Sequence, residues 1–114
     1  MAFSEATTEP VRRSQIARYA CAVDDFNGMH VDEDFARQAG MPSVIAHGPL
    51  TLALALDAIV AQLGPDAFRE MEARLTAPVF PGDALTVVPA DGGAEVRKAD
   101  GTVAAKLTLR LDGS

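Results

Sequence analysis

The spacing of apolar residues changes midway along the chain: every three or four residues up to Leu63, then every second residue from Met71. Ser14 is placed to cap a short helix whose apolar face is Ile16, Tyr19, Ala20 and Val23. Asp32 and Gly40 bracket a second short helix carrying Phe35, Ala36 and Ala39 on one side. Pro49 suits the first turn of a third helix, which Gly64-Pro65 ends. Between them, Leu50 to Leu63 is apolar on nearly every side, and such a helix has to be wrapped by the rest of the chain.

The wrapping reads as strand. Met71, Ala73, Leu75, Ala77 and Val79 alternate with Glu70, Glu72, Arg74 and Thr76. Val103, Ala105, Leu107, Leu109 and Leu111 alternate with Ala104, Lys106, Thr108 and Arg110, so both segments predict half-buried strands with one wet face. Shorter strands at Leu85 to Val88 and Ala94 to Lys98 are joined through Asp91-Gly92-Gly93, and Asp100-Gly101 makes the next tight hairpin. Residues up to Thr8 read as a loose lead-in. The expectation is one α+β domain over residues 1–114, a single antiparallel sheet around one apolar helix. Open edges on that sheet invite edge-to-edge pairing, so the chain is expected to be a dimer at least.

Composition narrows the function. With 16 acidic against 10 basic residues the net charge is −6, which argues against a nucleic-acid partner. The uncharged run from Gln38 to Leu56 is broken by Gly40, Pro42, Gly48 and Pro49, so no membrane span is expected. Cys21 is the single cysteine, and no basic start followed by an apolar run opens the chain, which fits a reducing cytoplasm. Cysteine and histidine ligands at zinc spacing are missing, so no metal is expected.

Two polar clusters interrupt the packing pattern. In Asp24-Asp25-Phe26-Asn27-Gly28-Met29-His30, Asp25 and His30 converge only if the segment is a loop, because positions five apart on a helix diverge by roughly 140°. Asn27-Gly28 supplies a bend. A carboxylate beside an imidazole can hold a water and share proton transfer; the plainer alternative is that Asp25 and Asn27 organise a turn with His30 packed nearby. In Ala46-His47-Gly48-Pro49, Gly48 lets a ligand approach a helix N-terminus whose amide stabilises an oxyanion, and the plainer alternative is an ordinary capping turn.

Together the clusters resemble a known family. Asp25-Phe26-Asn27-Gly28-Met29-His30-Val31-Asp32 followed by Ile45-Ala46-His47-Gly48 is similar to the motif of MaoC-like (R)-specific enoyl-CoA hydratases. Ala77-Pro78-Val79-Phe80-Pro81-Gly82-Asp83-Ala84-Leu85 matches the family's strand-turn segment. The resemblance implies a hot-dog fold and a hydratase or dehydratase acting on an acyl-CoA or acyl-carrier-protein thioester without a cofactor. It implies that Asp25 and His30 activate water, that the Gly48 amide binds the thioester oxygen, and that Asn27 and His47 support the substrate and the loop. The expected assembly is a homodimer; the alternative is a non-catalytic or co-catalytic subunit of a heterodimer with another hot-dog chain, motivated by the departures at Gly28 and Pro49. An acyl-CoA thioesterase using Asp57 is a further alternative, which leaves Asp25 and His30 without work. The chain departs from the family pattern at Gly28, where proline is usual, at Pro49 beside the oxyanion glycine, and at Leu56, where some members carry serine.

Overall fold

The computed structural model of the chain describes residues 3–112. Four helices, α1 (Arg13–Val23), α2 (Gly28–Val31), α3 (Glu33–Gln38) and α4 (Gly48–Leu63), precede most of the sheet. The strands are β1 (Ala6–Thr7), β2 (Phe68–Leu75), β3 (Thr86–Ala90), β4 (Gly93–Arg97) and β5 (Val103–Leu111). They form one antiparallel sheet in the order β1-β3-β4-β5-β2. The expected single sheet packed on one helix is therefore present.

From Ala105 onward the long strand β5 behaves as its alternation predicts: Ala105, Leu107, Leu109 and Leu111 are buried, while Lys106, Thr108 and Arg110 face water. Ala104, expected on the wet face, is buried, and Val103 is half-buried. Against it pack Leu50, Ala55 and Ile59 of α4, together with Ile16 of α1 and Leu85, Val87 and Val96 from the meander. This apolar layer is the main stabilising element, because each fully buried aliphatic side chain contributes about 1.5–3 kcal/mol.

Several expectations change. The helix expected to be capped by Ser14 is capped two residues earlier, at Arg12, with the Gln15 side chain reaching back to the Arg12 N–H at 3.4 Å. Within the lead-in, Phe3 is buried and Ala6–Thr7 pairs with β3 as an edge strand; residues 1 and 2 lie outside the described residues. The strand expected over Met71–Val79 instead runs from Phe68 to Leu75, because Pro78 and the turn at Pro81-Gly82 divert the chain before Val79. Ala73 and Leu75 are exposed although they belong to its inner face, since β2 is an edge strand and no other strand of the described residues pairs with its outer side. Phe35, expected on a buried helix face, is 50% exposed; only Ala36 of that face is buried.

The central helix is also less enclosed than its composition implies. Leu50, Thr51, Ala55 and Ile59 are buried, but Leu52, Leu54, Leu56 and Val60 are only half-buried and Ala53 and Ala61 are exposed. One five-stranded sheet covers one side of a helix, so the other side remains partly open.

Candidate active site

Local hydrogen bonding explains how the Asp25–His30 segment folds. Helix α1 stops at Asp24, whose φ of 56° turns the chain, and the Asp25 N–H returns to the Ala20 carbonyl at 3.0 Å. The Asp25 carboxylate accepts from the Asn27 N–H at 3.3 Å, and the Asn27 side chain accepts from the Met29 N–H at 3.0 Å. Asn27 thus caps α2, a single helical turn, where a bend through Asn27-Gly28 was expected. Within that turn, His30 swings back toward Asp25.

The His30 ring is fixed from behind. Its Nδ1 lies 2.8 Å from the Ile45 carbonyl, which can only accept, so Nδ1 carries a proton, and the neutral ring has its lone pair on Nε2. His47 is 1% exposed and stacks on His30 with centroids 3.7 Å apart and planes 21° apart. By the same reasoning its Nε2–H donates to the Asp25 carbonyl at 3.0 Å. Tyr19 of α1 also contacts the His47 ring, with centroids 4.9 Å apart and planes tilted by 57°.

Asp25, His30 and His47 each bring one polar side-chain atom within 4.8 Å of the others. One water can bridge a carboxylate oxygen and an imidazole nitrogen at about 2.8 Å from each. The same three residues are a conceivable metal ligand set, but imidazole lone pairs lie in the ring plane. Two rings stacked nearly parallel do not aim at one ion, and His47 Nε2 is occupied by Asp25. The arrangement suits a water rather than a cation.

Gly48 begins α4 immediately after His47, and first-turn amides have no partner inside a helix. Pro49 removes one of these donors, which leaves the Gly48 N–H beside a cleft of about 350 Å³ whose walls include Ile45, Thr51, Leu75 and Val79. Neither Asp25 nor His30 lines this cleft. Gly48 allows a close approach, as expected, but the group now using that space is Leu75: a β-carbon at Gly48 would fall 2.4 Å from Leu75 Cδ1. Leu75 is 49% exposed at the end of an edge strand and is free to swing aside.

The glycine at position 28 has a similar cause. A β-carbon there would meet the Phe35 ring at 2.7 Å, so proline at this place requires Phe35 to move. Glu33, not singled out from sequence, is a further support. It binds Arg13 at 2.8 Å, Arg37 at 3.7 Å and the Val44 N–H at 2.9 Å, joining α1 and α3 to the segment that leads to His47. The Arg13 hydrogen bond, then the Val44 amide, hold its carboxyl below the ordinary 4.5. The Glu33/Arg37 spacing of four residues was the one legible signal of this tether.

His47 was expected to assist substrate binding; its ring instead faces inward, onto Asp25 and His30. Asn27 serves the loop as a cap. Asp57 is exposed and lies in a different groove, with Thr7, Arg12 and Gln62, on a side of α4 away from Gly48. Among the basic residues of the sheet, Arg97 pairs with Glu95 and Arg110 with Glu70. Lys98 pairs with Asp83 and lies over Phe80.

A family model described as "MaoC like domain" matches residues 2–110. The chain is 41% identical over 83 residues to "3-hydroxyacyl-thioester dehydratase Y" of Mycobacterium tuberculosis, covering 69% of this chain and 28% of that protein. It is 38% identical over 84 residues to "Enoyl-CoA hydratase 2, peroxisomal" of Arabidopsis thaliana, covering 71% and 26%. The chain spans well under a third of the length of these relatives. Among solved structures, the unliganded R-hydratase PhaJ1 of Pseudomonas aeruginosa superposes with a TM-score of 0.81 at 24% identity, over 95% of this chain and 77% of that one. The ChsH1-ChsH2 complex of Mycobacterium tuberculosis gives 0.72 at 22% identity, over 97% and 98%. These likenesses establish the hot-dog fold.

Proposed function

The chain belongs to the MaoC-like dehydratase family, and from that premise we propose that it catalyses the (R)-specific hydration of 2-enoyl thioesters, or the reverse dehydration of 3-hydroxyacyl thioesters. The observation that carries this reading is the clustering of the exposed Asp25 carboxylate with ring nitrogens of His30 and His47 within 4.8 Å, next to the N-terminus of α4 that Gly48 opens. Asp25 orients the water and His30 takes its proton as oxygen adds to the β-carbon. Negative charge then moves onto the thioester oxygen, where the Gly48 N–H at the positive end of α4 stabilises it. The same pair returns a proton to the α-carbon, so the elements of water add across the double bond and nothing is oxidised. No metal or redox group takes part in this scheme. The exposed, separate position of Asp57 speaks against the thioesterase alternative. The whole chain, 1–114, acts as one such domain, and a cytoplasmic setting fits its single exposed cysteine. Among the described residues no helix is long and apolar enough to cross a membrane.

A panel of 2-enoyl-CoA and enoyl-carrier-protein thioesters of increasing length, followed by loss of the conjugated enoyl absorbance, tests the reading. The expected product is the (R)-3-hydroxyacyl thioester. Mainly (S) product, or no turnover of any thioester, rejects it.

A homodimer is the assembly the free edge supports. Thr76 donates its N–H to Ala104 at 2.9 Å, so by alternation the backbone groups of Met71, Ala73 and Leu75 point away from β5. A second β2 laid antiparallel about Ala73 sets Glu72 against Arg74 and Met71 against Leu75, twice each. Centring the pair on Glu72 or Arg74 opposes like charges. Glu72→Arg should then lower the solution mass toward the monomer, and adding Arg74→Glu should restore it. An unchanged mass in both variants excludes this edge. Likeness to the two-chain ChsH1-ChsH2 complex favours a second reading, an active subunit paired with a different hot-dog chain. A monomeric mass for the unmodified chain alone would favour it.

A further inference from the structure

We propose that His47 is a positioning residue, which sets the Asp25–His30 pair in register with the Gly48 amide; the inference rests on the hydration reading above. Hydration needs two groups at once, a water held over the β-carbon and an amide at the thioester oxygen. In this fold they come from different places, a polar loop after α1 and the first turn of α4. The cleft beside Gly48 does not include Asp25 or His30, so no shared cavity wall aligns them.

His47 touches every part. Its ring donates to the Asp25 carbonyl at 3.0 Å and stacks on His30 at 3.7 Å. Tyr19 contacts the same ring at 4.9 Å. Its own carbonyl accepts from the Thr51 N–H at 3.1 Å, which locks it to the first turn of α4, and Gly48 is the next residue. A shift of the loop relative to the oxyanion amide must therefore break a buried hydrogen bond or a ring stack.

The unpaired nitrogen sharpens the point. His47 Nδ1 is buried with no hydrogen-bond partner among the described residues. Burying such an atom is unfavourable, and a phenyl ring would fill the same space without it. What distinguishes histidine here is the Nε2–H bond to Asp25. The residue keeps that latch despite the orphaned atom beside it.

The test compares the unmodified chain with His47→Phe, which keeps a stacking ring but loses the donor, and His47→Gln, which keeps an N–H near the same point. For an enoyl thioester that the parent hydrates, His47→Phe should lower kcat by about tenfold or more, as misplacement by a fraction of an ångström does, with KM changed by no more than about twofold. His47→Gln should recover most of the loss. Equal kcat in His47→Phe and the parent overturns the proposal, as does a rise in KM alone. Nitrogen-15 NMR of the unmodified chain gives a readout independent of turnover and of whether the variants fold. The His47 ring proton should sit on Nε2 and exchange slowly, and a proton on Nδ1 overturns the proposal. If the parent hydrates no thioester, the hydration reading fails, and the tautomer still decides whether the latch exists.

Discussion

The segment from Asp24 to Asp32 and the layer between α4 and β5 are held by opposite means. No residue from Cys21 to Phe35 is buried, and the segment keeps its shape through short polar bonds from Asn27, His30 and His47. The α4–β5 layer has almost no polar side chain and is held by Ile59, Leu107, Leu109 and their neighbours. Polar bonds are directional, so they fix the angle of a carboxylate or an imidazole; apolar burial is not directional but is far larger in sum. The first region can be altered chemically with little loss of folding, and the second cannot.

The largest expected effect is on the loop. Asp25→Asn and His30→Ala should each lower turnover by about 100-fold or more, the usual scale for a positioned acid–base group. The double variant should be little worse than the poorer single one, because partners in one step are not additive. Melting temperature should barely move, since neither residue is buried. Near-normal turnover in Asp25→Asn, together with a clear fall in melting temperature, would instead give the segment a purely structural role.

Ile59→Ala inverts the pattern. Ile59 is fully buried, and truncating it should cost about 2–5 kcal/mol of stability, read by denaturant unfolding. Turnover at a temperature where the variant is folded should stay close to the parent's. A large loss of kcat in a folded Ile59→Ala chain would show that the two regions are coupled and not separable as argued.

The smallest effect is at the tether between them. Glu33 titrates below its ordinary value of 4.5, mainly through its Arg13 hydrogen bond and the Val44 amide. A carboxyl lowered in the folded state stabilises above its ordinary value, and the contribution disappears as pH falls through the lowered one. Glu33→Gln should therefore reduce melting temperature slightly at neutral pH, and the difference from the parent should shrink in acid. A difference that grows as pH falls would contradict this assignment.

The sheet, the apolar helix and the cap at Asp32 were legible because each is a local pattern: alternation along β5, continuous apolarity along α4, a carboxylate three residues before Phe35. The family motif likewise marked Asp25, Asn27, His30, His47 and Gly48, since their order along the chain is itself the signal. Tertiary structure decided how those residues are used. His47 contacts both Tyr19 and His30, rings that come from different helices, and no sequence spacing encodes that meeting. Leu75 covers Gly48 from 27 residues away, and Phe35 sets the limit at Gly28. Glu33 became a tether only when α1 and residue 44 were folded against it. Periodicity reports which face of an element is apolar; which elements meet, and which polar atom is then turned inward, depends on contacts between distant segments that one chain's pattern does not specify.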